Sequence, residues 1–333
     1  MPHHDAPHRS WPLLWALALA CAGCPGTAGD LLIRHETTTD SVVDVQGADA
    51  RTDGSTPCLP WTDATRFETP EPLGSINTTS EEIEPFVSAD GLTLYFTSDR
   101  PGGKGGRDIY QATRATPMDA FGSIGAVAAF NTAYDDGGLS LSTDGLTAYI
   151  SSTRPGGPGP PDLFVVSRPD TATPFVAADV VLLAAVNGAG REFDPAPSAD
   201  GRRLYFTADG IVAAGSEADL VFAERSGTSG DFGAPRAVPG VNPPDGREGN
   251  PWVSADELLI VFNSDRAGGL GGHDLWYATR ADRDATFSAP RPVPDVNTSD
   301  QEGEVFVSAD GCELYFGRTT GQRDLFHTRV VVR

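Results

Sequence analysis

Short apolar runs recur along the chain at a fixed spacing. Leu94-Tyr95-Phe96, Ala148-Tyr149-Ile150, Leu204-Tyr205-Phe206, Ile260-Val261-Phe262 and Leu314-Tyr315-Phe316 each follow a polar turn of the Ser-x-Asp-Gly kind. The turns begin at Ser88, Ser142, Ser198, Ser254 and Ser308, spaced by 54, 56, 56 and 54 residues, and Glu257 stands in place of the glycine in the fourth. Asp-Gly favours the positive φ of a hairpin turn, so each run predicts a strand entered from a tight hairpin. Consecutive apolar residues, rather than alternating ones, predict strands covered on both faces. A further strand opens at Asp108-Ile109-Tyr110, Asp162-Leu163-Phe164, Asp219-Leu220-Val221, Asp274-Leu275-Trp276 and Asp324-Leu325-Phe326. A weaker fourth runs from Phe67, Phe121, Phe175, Phe232 and Phe287 to Asn77, Asn131, Asn187, Asn242 and Asn297.

Five repeats of about 55 residues with four short strands each predict an all-β, five-bladed propeller. The first fourth-strand copy precedes any complete blade, and the chain stops after the third strand of its last repeat. The N-terminal copy is therefore expected to complete the last blade in a one-plus-three closure, which removes two open sheet edges.

The pattern Ser-Ala-Asp-Gly, apolar-Tyr-Phe, Ser98-Asp99-Arg100-Pro101-Gly102-Gly103 and Asp108-Ile109-Tyr110 resembles the WD40-like β-propeller repeat of the TolB type. The resemblance covers about residues 67–333 and is strongest at residues 88–110 and 254–276. The third repeat departs from it with Ala208-Asp209-Gly210 and a longer loop, and the fifth with Arg318-Thr319-Thr320. It implies a periplasmic or surface-exposed scaffold, often in the company of peptidoglycan-binding or outer-membrane proteins. It implies no reaction.

The 38 Gly and 27 Pro suit many tight turns. A formal net charge of −22 argues against nucleic acid, whose phosphates need clustered Lys and Arg. A polar stretch, residues 1–10, leads into an apolar run, residues 11–22, too short to span a bilayer. The sequence Ala-Leu-Ala-Cys21-Ala-Gly-Cys24 resembles the lipobox of bacterial lipoproteins. Residues 1–23 are accordingly expected to be a signal peptide with Cys24 acylated, Cys21 being the alternative, and a lipid anchor the only contact with the membrane. Residues 24–65 carry few large apolar side chains and are expected to form a tether, with 66–333 as the propeller. Of the remaining cysteines, Cys58 and Cys312 fall on the same face of the last blade in this wiring and are expected to form a disulfide that locks the closure.

An acid stands six residues before each turn serine: Glu82, Asp136, Glu192, Glu248 and Glu302. Placed in the loop entering the innermost strand, these five are expected to ring one mouth of the central channel, or to pair with Arg100, Arg154 and Arg266 on the same face. Two positions on, the set is uneven: Glu84, Gly138, Asp194, Asn250 and Glu304. Crowded carboxylates raise one another's pKa unless a cation intervenes. Oxygen ligands around a void suit Ca²⁺, yet no contiguous Asp-x-Asp-x-Asp-Gly loop occurs, so no cofactor is expected. Some five-bladed propellers are glycoside hydrolases with carboxylates around the channel, and Glu84, Asp194 and Glu304 are the candidates for that role. No Gly-x-Ser-x-Gly is present, and His273 and His327 are too few for a His-based zinc site. The reading with most support is a non-catalytic, exported envelope protein, lipid-anchored to the outer membrane, that binds an envelope protein or cell-wall component through its loops.

Overall fold

The computed structural model describes residues 57–212 and 216–331. The signal segment, Cys21, Cys24 and the tether up to residue 56 lie outside the described residues.

The first strand, β1 (Glu71–Pro72), is followed by blade one, β2 (Glu82–Val87), β3 (Thr93–Ser98), β4 (Asp108–Thr113) and β5 (Gly122–Ala126). Blade two is β6 (Asp136–Leu141), β7 (Thr147–Ser152), β8 (Asp162–Ser167) and β9 (Val181–Leu182). Blade three is β10 (Glu192–Pro197), β11 (Arg203–Ala208), β12 (Asp219–Glu224) and β13 (Arg236–Ala237). Blade four is β14 (Glu248–Val253), β15 (Leu259–Ser264), β16 (Asp274–Thr279) and β17 (Arg291–Pro292). Blade five is β18 (Gln301–Val307), β19 (Glu313–Thr319) and β20 (Arg323–Arg329), completed on its outer edge by β1. Five four-stranded antiparallel sheets result, and their first strands touch in the cycle β2, β6, β10, β14, β18 and back to β2. The five-bladed propeller and its one-plus-three closure are thus the observed fold.

Each Ser-x-Asp-Gly turn is a closed set of bonds. In the first, Ser88 Oγ donates to Asp90, the amide of Leu92 donates to the same carboxylate, and the amide of Thr93 donates back to Ser88 Oγ. Gly91 sits at φ 70°, where a side chain is strained. An arginine from the end of the third strand fastens the turn from outside: Arg114, Arg168, Arg225 and Arg280 each donate Nε to the carbonyl of Gly91, Gly145, Gly201 or Glu257. Each guanidinium also lies 4.2–4.5 Å above the ring of Phe121, Phe175, Phe232 or Phe287, which ties the turn to the outer part of the blade.

The outer strands are shorter than the Phe-to-Asn segments, two residues in β1, β9, β13 and β17. Pro72 and Pro292 occupy two of them and cannot donate to a ladder. The segment is held at its two ends. Its phenylalanine packs in the core (Phe67, Phe121, Phe232 and Phe287 are buried), and its asparagine clips to the third strand. Asn77, Asn131, Asn187, Asn242 and Asn297 each donate to and accept from the backbone of one residue, Leu325, Ile109, Leu163, Leu220 or Leu275.

The packed body begins earlier than composition places it. Trp61, assigned to the tether, is 3% exposed. It stacks edge-on against Phe67 and Tyr277 and donates Nε1 to the Gly311 carbonyl, wedging between blades four and five. A lone tryptophan in a Thr/Asp-rich stretch escapes a compositional reading because one large ring is enough to anchor it. Beside it Cys58 and Cys312 form the expected disulfide, across 254 residues of sequence. Reduction, or the pair Cys58→Ser and Cys312→Ser, is expected to lower the urea unfolding free energy by about 2–5 kcal/mol. An unchanged unfolding midpoint would show that Trp61 and the β1–β20 pairing hold the closure alone.

Candidate functional site: the channel and the buried acids

The five acids Glu82, Asp136, Glu192, Glu248 and Glu302 are all 0% exposed. Each opens or lies one residue inside its innermost strand, and the structure turns it into the blade rather than presenting it at the mouth.

In four blades a guanidinium and hydroxyls meet it there. Glu82 accepts from Arg100 Nη2 at 2.8 Å, from Ser98 Oγ at 3.0 Å, and from the amide and hydroxyl of Thr78. Arg100 also donates to the Ile76 carbonyl and lies over Phe96 and Tyr110. Asp136 repeats this with Arg154, Ser152 and Thr132, and Glu248 with Arg266 at 3.1 Å and Ser264. In blade five the cation comes from another position: Arg318 stands where blade one has Ser98, yet reaches both Glu302 at 2.8 Å and the Val296 carbonyl. These are buried ion pairs with nearly all their bonds made.

Blade three breaks the pattern. Gly188, Ala208 and Gly210 occupy the places of the threonine, serine and arginine. No side chain donates to either carboxylate oxygen of Glu192, and only the Gly188 amide approaches it. Burial pushes its pKa up to about 7, the Gly188 amide opposing and the carboxylates of Asp162 and Asp209 adding to the rise. Blade four is intermediate, since Pro243 and Pro244 replace the threonine and Pro offers no N–H. Glu248 Oε2 is left without a partner, and burial raises this pKa too to about 7.

The channel is lined two positions further on. Glu84, Gly138, Asp194, Asn250 and Glu304 all have φ between 49° and 56°, at the point where each inner strand slips register against its neighbour. This bulge separates the two sets of acids: a regular strand would aim residues i and i+2 alike, whereas the left-handed residue redirects the second. A signal for it was present in the sequence, because Gly, Asp and Asn at equivalent positions are the residues most tolerant of positive φ.

Glu84 Oε2 accepts the Gly138 amide of the next blade at 2.6 Å. Thr207 Oγ1 donates to Asp194 at 3.4 Å and accepts the Asn250 amide at 3.2 Å. Glu304 pairs with Arg323 at 3.1 Å. Asp194 is buried, and its pKa is raised well above the carboxylate range by that burial and by repulsion from Glu84 and Glu304. Blade three adjoins neither blade one nor blade five, so this repulsion acts across the axis. Glu304 is raised to about 7 by burial, against the pull of Arg323 and with the push of Glu84. Glu84, Asp194 and Glu304, the sequence candidates for a hydrolase, thus repel one another across the axis. Among the described residues no group of three or more His, Cys, Asp or Glu side chains is gathered closely enough to hold a metal ion.

No family model and no curated protein matches the chain. Among solved structures it is similar to a putative TolB from Agrobacterium tumefaciens, at 18% identity over 72% of this chain and 71% of that one, TM-score 0.45. It is similar also to a thermostable family-43 glycoside hydrolase (12% identity, 77% and 90% coverage, TM-score 0.49) and to the endo-arabinase of Bacteroides thetaiotaomicron VPI-5482 (14%, 79% and 97%, TM-score 0.47). At such identities a likeness concerns the fold alone and does not separate a TolB-type protein from a glycoside hydrolase.

Glu192, Glu248 and Glu304 bind protons more tightly folded than unfolded, so their stability contribution is full at low pH and is lost as pH rises through the folded values near 7, and burial of Asp194 acts in the same direction. The unfolding midpoint in urea is therefore expected to fall between pH 5 and pH 8. Glu192→Gln should flatten part of that fall and leave the protein more stable than wild type at pH 8. Arg100→Ala, which strands the Glu82 charge, should cost about 3–5 kcal/mol at pH 7.

Proposed function

We propose that the chain is a non-catalytic scaffold of the cell envelope that presents propeller loops to a protein or cell-wall partner. The internal use of charge carries this reading. The acids repeated in every blade serve the blades, and of the channel carboxylates Asp194 is buried, Glu84 is committed to the Gly138 amide and Glu304 to Arg323. Glycoside hydrolysis needs two carboxyl groups about 5–10 Å apart that face an open cleft. The loop face offers contact groups instead: Tyr134 and Leu270, 47% and 70% exposed, beside the Gly-rich loops of residues 101–107 and 266–273.

One observation favours the hydrolase alternative: Asp194 and Glu304 carry raised pKa values, as a general acid requires. Two measurements on the full chain separate the readings. Immobilised protein is expected to capture an envelope component that the Tyr134→Ala, Leu270→Asp variant does not, with circular dichroism showing both to be folded. Release of reducing sugar from arabinan or xylan that Glu304→Gln abolishes would overturn the scaffold reading.

Export and a lipid anchor in the outer membrane, facing the periplasm or the exterior, are part of the same proposal and rest on the segment ending at Cys24. Radiolabelled palmitate is expected to enter the expressed protein and to be absent from Cys24→Ala. Label that survives Cys24→Ala but not Cys21→Ala would move the anchor to Cys21.

A further inference from the structure

We infer that the chain forms a two-fold dimer along the outer edge of blade one, strand β5 of one copy pairing antiparallel with β5 of another. The outer strands of the other four blades are two residues long, and β1, β13 and β17 carry a charge or a proline besides. Short length, charge and proline are devices that keep a sheet edge from taking up a further strand. β5 has none of the three. It runs five residues, Gly122–Ala126, as Gly-Ser-Ile-Gly-Ala, and all but Gly122 are exposed. From residue 120 to residue 134 the chain holds neither a charged side chain nor a proline.

Among the described residues nothing covers this edge. A side chain placed at Gly122 or Gly125 would meet no atom within 4 Å, Ile124 is 38% exposed, and Met118 in the preceding loop is 74% exposed. The direction of the free groups follows from the ladder. Gly125 and Ala126 stand opposite Gln111 and Tyr110, and the Val127 amide donates to the Ile109 carbonyl. Backbone groups alternate along a strand, so Gly125 turns its amide to β4 as Val127 does, while the Ala126 amide and the Ile124 carbonyl face outward. The register slip falls before this stretch, at Ser123, whose φ is 50°.

A second copy supplies what these groups lack. About a two-fold axis at Gly125, the Ala126 amide of each copy meets the Ile124 carbonyl of the other, and the two Gly125 residues face each other with no side chains to clash. Antiparallel pairing also sets the start of each strand beside the end of the other. Asp119 is exposed just before the start of β5. Lys104, the sole lysine of the chain, lies beyond its end with Nζ on the carbonyls of Ala128 and Asn131. Unlike charges are thereby brought together on both sides of the axis. Elsewhere a net charge of −22 makes copies repel, and this charge-free edge is where they approach without setting carboxylate against carboxylate. The dimer rests on backbone geometry and charge, and stands whether or not the scaffold reading does.

The test joins sedimentation of the full chain to disulfide trapping. A strand pair this short makes a weak contact, so the protein is measured at about 100 µM, where a reversible dimer is expected. Ile124→Lys, which brings a lysine from each copy close to the axis, should weaken the dimer by about tenfold while circular dichroism stays that of wild type. In Gly125→Cys, oxidation by diamide should link two chains, because residues facing each other across an antiparallel pair lie within disulfide reach. Val181→Cys, on the outer strand of blade two, should give no more linked species than wild type. A monomer at that concentration, a dimer indifferent to Ile124→Lys, or trapping no greater from Gly125→Cys than from Val181→Cys would overturn the assignment.

Discussion

The outer strand of the fifth blade comes from the far end of the chain, and the ring has no other way to close. Two residues of β1 pair with β20, and the contact is extended by the Phe67–Val330 bridge and by backbone bonds at Glu68, Leu73 and Val331. The join is carried by what surrounds it: the Cys58–Cys312 bond, the Trp61 ring between blades four and five, and the Asn77 clip onto Leu325. Every interblade contact is made on the assumption that this join exists, since opening it would expose the apolar faces of the first and last blades together. A bond that spans most of the sequence restricts the unfolded chain strongly, which suits a fold whose decisive contact is the least local one.

Within the ring, stability and charge are arranged together. Four blades bury a carboxylate against an arginine and at least one hydroxyl, have that arginine donate to a backbone carbonyl as well, and lay the guanidinium on aromatic rings. Such a cluster gains little over an apolar core, but breaking it is costly because the remaining charge is stranded in low dielectric. Blade three removes all the partners at once and keeps the acid. Gly210 takes the place of the arginine, and Ile211 packs on the apolar cluster that contains Phe206 and Val221. Burial there raises the acid's pKa to about 7.

Much of this was legible before any coordinates. The repeat spacing, the double-sided apolar runs and the odd fourth strand at the N-terminus determine the blade count and the closure, because they follow from local turn chemistry and from arithmetic. The pairing of Glu82, Asp136 and Glu248 with Arg100, Arg154 and Arg266 could be read as one of two alternatives, since both partners recur in register. What could not be read was direction. An acid in every blade looks the same whether it faces the axis or the blade interior, and the choice turns on one left-handed residue two positions on. Arg318 escaped for a related reason: it reaches a standard place in the structure from a non-standard place in the sequence. Glu257 is similar. It replaces a turn glycine at φ 58°, and its carboxylate gathers Arg203, Arg280, Arg283 and the Tyr205 hydroxyl, a network with no repeat to announce it.

The left-handed residue of each inner strand has a consequence for how the channel can change. Because its backbone is fixed by the register slip, and because that conformation disfavours β-branched side chains, only small or unbranched polar residues fit there easily. The chain occupies the five places with Glu, Gly, Asp, Asn and Glu, and the blades around them keep one geometry. The propeller axis is in effect a five-position register that accepts charge, amide or nothing at each step without disturbing its frame. A lineage of such proteins can therefore retune the potential along the axis by single substitutions, while the chemistry that builds the blades stays untouched.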